Sequence, residues 1–152
     1  MVFENTPFTI DGWISFDLGQ YRPCGSTYAL YTRDQLPTLD ETFFKNGFDW
    51  LGENNGKNPF EEGLENLKKE AQAQGITLPK TFLEFMAVES WQNAIPSCTA
   101  CYFNLHPHLI PSPLKDDNGF FVRFLNDQQD CMFWWLYIKP DGSYCTVACP
   151  IP

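Results

Sequence analysis

The chain has 152 residues, of which 43% are hydrophobic, 16% aromatic and 19% charged. That is too apolar for an intrinsically disordered chain, and the length suits one domain, residues 1–152, with little room for a second. Nineteen Asp and Glu against ten Lys and Arg leave a formal charge of −9, with acid in excess in both halves; this argues against direct contact with nucleic acid or anionic membrane and suits a basic protein partner.

The first residues, Met1-Val2-Phe3-Glu4-Asn5-Thr6-Pro7, lack the basic and apolar regions of a secretory signal. No run approaches the ~20 apolar residues that span a bilayer. Six cysteines are too few for a disulfide scaffold in a chain of this length, so the expectation is a cytoplasmic protein with reduced thiols. Ile14, Phe16 and Leu18 alternate with Ser15 and Asp17, which predicts a strand within residues 8–18. Residues 27–33, rich in β-formers, predict a partner strand. Asp40 suits the cap of a short helix through Phe44, stopped by Asn46-Gly47.

Residues 52–58 (Gly-Glu-Asn-Asn-Gly-Lys-Asn) read as a loop. Asn58 then suits an N-cap and Pro59 the first helical position, with Glu61 and Glu62 complementing the positive helix end. Phe60, Leu64, Leu67 and Ala71 form one apolar stripe, and Gly75 suits a left-handed stop. A second helix is expected over residues 80–89, burying Phe82, Leu83, Phe85 and Met86. Pro96, Pro107, Pro111 and Pro113 make residues 93–118 mostly loop, with a short strand near 101–105.

Residues 120–126, 131–139 and 143–149 read as strands, and Asp141-Gly142 predicts a hairpin between the last two. A two-residue loop would set Lys139 opposite Tyr144, Ile138 opposite Cys145 and Leu136 opposite Val147. Trp134, Leu136 and Ile138 would then share a face with Cys145, Val147 and Cys149. Phe133, Trp135 and Tyr137 would share the other with Tyr144, Thr146 and Ala148. Both faces are apolar, so the hairpin belongs inside a sheet covered on both sides. Helices mid-chain and strands at both ends predict an α+β fold: an antiparallel or mixed twisted sheet with helices packed mainly on one face.

Candidate chemistry is sparse. His106 and His108 flank Pro107, and Cys98-Thr99-Ala100-Cys101 is a CxxC. These four are the only candidate metal ligands or thiol-enzyme groups. Two imidazoles are not a site, and Cys145 and Cys149 on one strand lie roughly 13 Å apart by strand rise, too far to complete a zinc tetrahedron. No catalytic residue, metal or cofactor is assigned. Asp116-Asp117 and Asp127 with Asp130 read as turns that present carboxylates, suited to solvent or to a partner. Trp135 and Tyr137 lie on the second sheet face, either covered or available for binding.

Leu78-Pro79-Lys80-Thr81-Phe82-Leu83-Glu84-Phe85-Met86 in the second half of the chain resembles the Leu-Pro helix of the Smi1/Knr4 (SUKH) superfamily. Phe124 to Cys131 resembles the turn before its aromatic central strand, and Trp134 to Ile138 followed by Asp141-Gly142 and Val147 resembles the strand–turn–strand after it. The resemblance spans residues 58–149; residues 1–57 match no part of it, and Glu89-Ser90-Trp91 stands where the family often has Asn-Gly. It implies a domain without catalysis, of the bacterial immunity-protein type, which neutralises a toxin by stoichiometric binding. On this reading Asp116, Asp117, Asp127, Asp130, Trp135 and Tyr137 contact a basic toxin domain, of which a nuclease is one kind. The alternatives are a regulatory or scaffold protein of the same family, a thiol or zinc enzyme built on Cys98, Cys101, His106 and His108, and a sugar-binding module using Trp135 and Tyr137.

Overall fold

Asn58 accepts a hydrogen bond from the Phe60 amide on its Oδ1 (3.1 Å), so it closes a turn just ahead of a helix rather than capping it directly. The computed structural model describes residues 47–97 and 100–149; the strands expected within 8–18 and 27–33, the short helix from Asp40, Cys24 and Cys98 lie outside the described residues. The first described α-helix, α1, runs Glu61–Gln74 and buries Leu64, Leu67 and Ala71. Gly75 ends it at φ 67°. The Ile76 amide reaches back to the Ala71 carbonyl (2.8 Å) and the Gly75 amide to that of Gln72 (3.2 Å), a Schellman closure that satisfies two terminal carbonyls and turns Ile76 into the core.

The helix expected over 80–89 divides into α2 (Lys80–Met86) and α3 (Glu89–Ala94). The break falls at Ala87-Val88, where Val88 is extended and buried. Two interactions hold it. The Gln92 side-chain amide donates to the Met86 carbonyl (3.0 Å), filling the vacancy at the end of α2. The Glu89 amide donates to the Lys57 carbonyl (3.0 Å) of the preceding loop. That loop is strapped to α3 further along: the Trp91 indole donates to the Gly52 carbonyl (3.0 Å) and the Ser90 hydroxyl to that of Glu53 (2.8 Å).

One antiparallel sheet follows: β1 (Tyr102–Phe103), β2 (Ile110–Pro111), β3 (Phe120–Asn126), β4 (Phe133–Ile138) and β5 (Tyr144–Cys149). The spatial order is β1-β3-β4-β5, with β2 also on β3. β1 and β2 lie end to end along β3, since Tyr102 pairs with Asn126 and Ile110 with Phe121. A bulge separates Arg123, opposite Trp135, from Leu125, opposite Trp134.

The strands of the last hairpin are as expected, but its register is not. Ile138 pairs with Tyr144, Tyr137 with Cys145 and Leu136 with Thr146. The loop has three residues, Pro140-Asp141-Gly142. The Gly142 amide bonds the Lys139 carbonyl (3.0 Å), and the Lys139 amide bonds the Ser143 carbonyl (2.9 Å). Gly142 is left-handed at φ 82°. Pro140 explains it: its fixed negative φ suits the second position of a type I turn, and a two-residue turn at Asp141-Gly142 would need from residue 140 the backbone N–H that proline lacks. One residue of slip exchanges the faces of β5: Cys145, Val147 and Cys149 join Phe133, Trp135 and Tyr137.

The helices pack on one face of the sheet. Leu64, Leu67, Ala71, Ile76, Leu78 and Met86 form one cluster with Leu105, Leu109, Val122, Leu136 and Ile138. The other face of β4 is also covered: Phe133 is 3% exposed, Trp135 7% and Tyr137 1%. An α+β fold with β4 at the centre of the sheet accounts for the continuous apolar run in this strand. No helix among the described residues is long and apolar enough to cross a membrane.

Candidate functional site

The loop from Ser112 to Gly119 joins β2 to β3 and lies at the same end of the sheet as the Lys139–Ser143 turn, since Phe120 pairs with Ile138. The Ser112 amide closes it on the Gly119 carbonyl (2.9 Å). Asp116 is exposed and left-handed, φ 63°. Asp117 turns inward. Its Oδ1 accepts from the Tyr137 hydroxyl (2.6 Å) and the Gly119 amide (3.3 Å). Burial pushes the Asp117 carboxyl up. Hydrogen bonds from Ser112, Tyr137 and Gly119, with the nearby charge of Lys139, more than offset this and hold it below its usual range. Burial first, and then the Asp117 carboxylate, push the Tyr137 hydroxyl well above its ordinary value. Asp117 and Tyr137 thus form an anchored pair, ionised on one side and protonated on the other. A shallow hollow of about 330 Å³ opens beside it, lined among others by Gln74, Asp117, Asn118 and Pro140.

The second acidic turn is at the opposite end of β3. The Asp127 amide donates to the Met132 carbonyl (2.9 Å) and that of Asp130 to the Asp127 carbonyl (3.1 Å), while the Asp127 carboxylate accepts from the Gln129 amide. Asp130, exposed at φ 54°, accepts on Oδ1 from the Tyr102 hydroxyl (2.8 Å) and the Asn126 side-chain amide (3.0 Å). The structure therefore does not bring the four expected carboxylates together. Asp116 and Asp117 are separated from Asp127 and Asp130 by the length of β3, about 20 Å by strand rise.

Trp135 and Tyr137, expected among the partner contacts, are buried. Neither offers an exposed surface to a protein or a sugar. The Arg123 guanidinium sits over the Phe133 ring (5.3 Å) and the Trp135 ring (6.0 Å), and Phe121 packs edge-on to Trp135. The adjacent-residue alternation that placed them on the second face is correct; covering of that face is what removes them from the candidate surface. The large apolar side chains that are exposed include Leu114 and Tyr144, each 40% exposed, and Tyr102 at 42%. Leu114 stands in the Asp116 loop and Tyr144 follows the Asp141 turn; Tyr102 stands beside Asp130. None of the three is among the expected contacts: Tyr102 and Tyr144 stand in apolar strand sequence, and Leu114 in a proline-broken loop.

The histidines have a partner that the sequence conceals. His108 Nδ1 lies 2.6 Å from Glu70 Oε1, and the Leu109 amide donates to Glu70 Oε2 (2.8 Å). These bonds hold the Glu70 carboxyl below its usual range. Glu70 is thirty-eight positions from His108, which is why inspection of the flanking sequence finds no acid. His106 Nδ1 faces the His108 backbone amide (3.3 Å). The arrangement pins the residue 105–109 loop to α1. The loop lies close to Gly63, where an added Cβ would meet Leu105 and Pro107 at ordinary contact distance, 3.6 to 3.9 Å. The Cys101 amide donates to the Ser97 hydroxyl (2.8 Å). Among the described residues, no group of three or more His, Cys, Asp or Glu is placed to hold a metal ion. Burial pushes the Cys145 thiol up, the opposite of activation.

Compared with known proteins, the chain matches no family model, no curated protein and no solved structure.

Proposed function

We propose that the chain is a non-enzymatic protein-binding domain of the Smi1/Knr4 immunity type, which neutralises a basic toxin domain by stoichiometric capture. The observation that carries the reading is the pairing of charge with exposed apolar surface at one end of the sheet. Asp116 and Asp141 are exposed there, and Leu114 and Tyr144 are exposed beside them in the chain. Apolar side chains that become desolvated supply affinity, and carboxylates around them supply rate and choice of partner. The formal charge of −9 acts in the same sense at longer range. Asp141 is held in place by its Ser143 contacts, from the amide (2.9 Å) and the hydroxyl (2.6 Å), so little order is lost on binding. Order of elements supports the family: a helix, the Leu-Pro helix, then an aromatic central strand in an antiparallel hairpin.

The test is titration of the chain with the basic toxin-like protein encoded beside its gene, at about 0.05 M and about 0.5 M salt, where screening differs several-fold. One-to-one binding whose association rate falls at high salt is expected. Absence of binding, or binding indifferent to salt, overturns the reading.

A further inference from the structure

Among the described residues β5 pairs with β4 alone, and the hairpin fixes which of its backbone groups face the open side. The Lys139 amide bonds the Ser143 carbonyl. Hydrogen-bonded pairs alternate along an antiparallel ladder, so Cys145, Val147 and Cys149 direct their amides and carbonyls to Tyr137, Trp135 and Phe133. Those of Tyr144, Thr146 and Ala148 point away from β4.

Natural sheet edges are blunted by lysine, proline, a bulge or extreme shortness. Tyr144-Cys145-Thr146-Val147-Ala148-Cys149 has no charge and no proline, and its register with β4 is unbroken. The helices bury Leu136 and Ile138 but leave their cross-strand neighbours Thr146 and Tyr144 exposed. Both ends of this edge are acidic. Asp141 precedes it, and Cys149 at its far end lies opposite Phe133, which follows the Asp127–Asp130 turn. A second copy of the chain would bring two charges of −9 together along strands that carry no basic residue.

We propose that β5 is a docking edge that takes an extended segment of the basic partner as an added strand, uncharged in its middle and flanked by Lys or Arg. The mode is β-augmentation, in which main-chain bonds give affinity and flanking side chains give choice. It rests on the basic-partner reading above and assigns that partner a place: it joins the Asp141 end to the Asp127–Asp130 end, which the sheet otherwise keeps apart.

The test uses a ten-residue peptide alternating Thr and Val, with two lysines at each end, and the same peptide with glutamates instead. Amide hydrogen exchange of the full chain is read residue by residue. The lysine peptide should slow Tyr144, Thr146 and Ala148 at least about tenfold while Cys145, Val147 and Cys149 stay as they were, and Thr146→Pro should weaken binding at least about tenfold. The Thr146 amide faces outward, so proline there removes no β4 bond; Thr146→Lys, which keeps the backbone intact, should weaken it likewise. Undiminished lysine-peptide binding to both variants overturns the docking edge and leaves the basic-partner reading standing. Equal protection by the glutamate peptide overturns the basic-partner reading and leaves edge pairing. Slow edge amides in the free chain, at any concentration, overturn the proposal, because the edge is then occupied by this chain or a second copy.

Discussion

Tyr137 and Asp117 join a strand to a loop twenty positions away, and a glycine makes room for them. A Cβ on Gly119 would stand 2.5 Å from the Tyr137 hydroxyl oxygen, so the residue is required by close approach rather than by a turn. Gly119→Ala should cost about 1–3 kcal/mol in urea unfolding, the range for an overpacked site. Tyr137→Phe removes a bond to a charged acceptor and should cost about 1.5–3 kcal/mol near neutral pH. The pH dependence has a definite sign. The folded Asp117 carboxyl ionises more readily than its unfolded counterpart, so its contribution is present above the unfolded value of about 3.9 and is lost as pH falls through the lower folded value. Wild type should therefore lose more stability than Tyr137→Phe on acidification below about pH 4, followed by denaturant midpoints. The acid and the tyrosine are each visible in the sequence. Their union is not, because nothing local to residues 116–119 says which strand face lies above them.

Elements set by local chemistry were legible, and those set by distant groups were not. The stripe Phe60, Leu64, Leu67, Ala71 and the stop at Gly75 are properties of α1 itself, and both appear as read. Gly75→Ala meets no neighbouring atom, so its cost is the left-handed backbone alone, about 1–2 kcal/mol by chemical denaturation. The break between α2 and α3 depends on Gln92 reaching the Met86 carbonyl and on the Lys57 carbonyl reaching Glu89; no periodicity encodes either. The hairpin register was legible but misread. Asp141-Gly142 suggests a two-residue loop only when Pro140 is overlooked, and with Pro140 counted the sequence specifies the three-residue loop that is present. That single residue of register decides every face assignment on β5, and with it the exposure of Tyr144 and Thr146.

Charge is the property of the whole chain that composition states most plainly, and folding gives it positions. Four of the nineteen acidic residues divide along β3, with Asp116 and Asp141 at one end and Asp127 and Asp130 at the other. These ends differ in what a substitution does. Asp130 binds Tyr102 and Asn126 within the fold, so changing it disturbs structure as well as charge. Asp116 and Asp141 sit in exposed turns where asparagine keeps both the backbone preference and, at 141, an oxygen for Ser143. The double change Asp116→Asn, Asp141→Asn should thus isolate electrostatics. Association with a basic partner should slow by about 3- to 10-fold at low salt, with a flatter salt dependence, because steering acts on encounter. Dissociation should change less than association, and the thermal midpoint should stay within about 2 °C, since exposed charges contribute little to stability. Stopped-flow association rates at several salt concentrations, beside a thermal melt of the same variant, measure both quantities. A double variant that associates as fast as wild type would place the recognition charge elsewhere on the molecule and withdraw Asp116 and Asp141 from the binding surface.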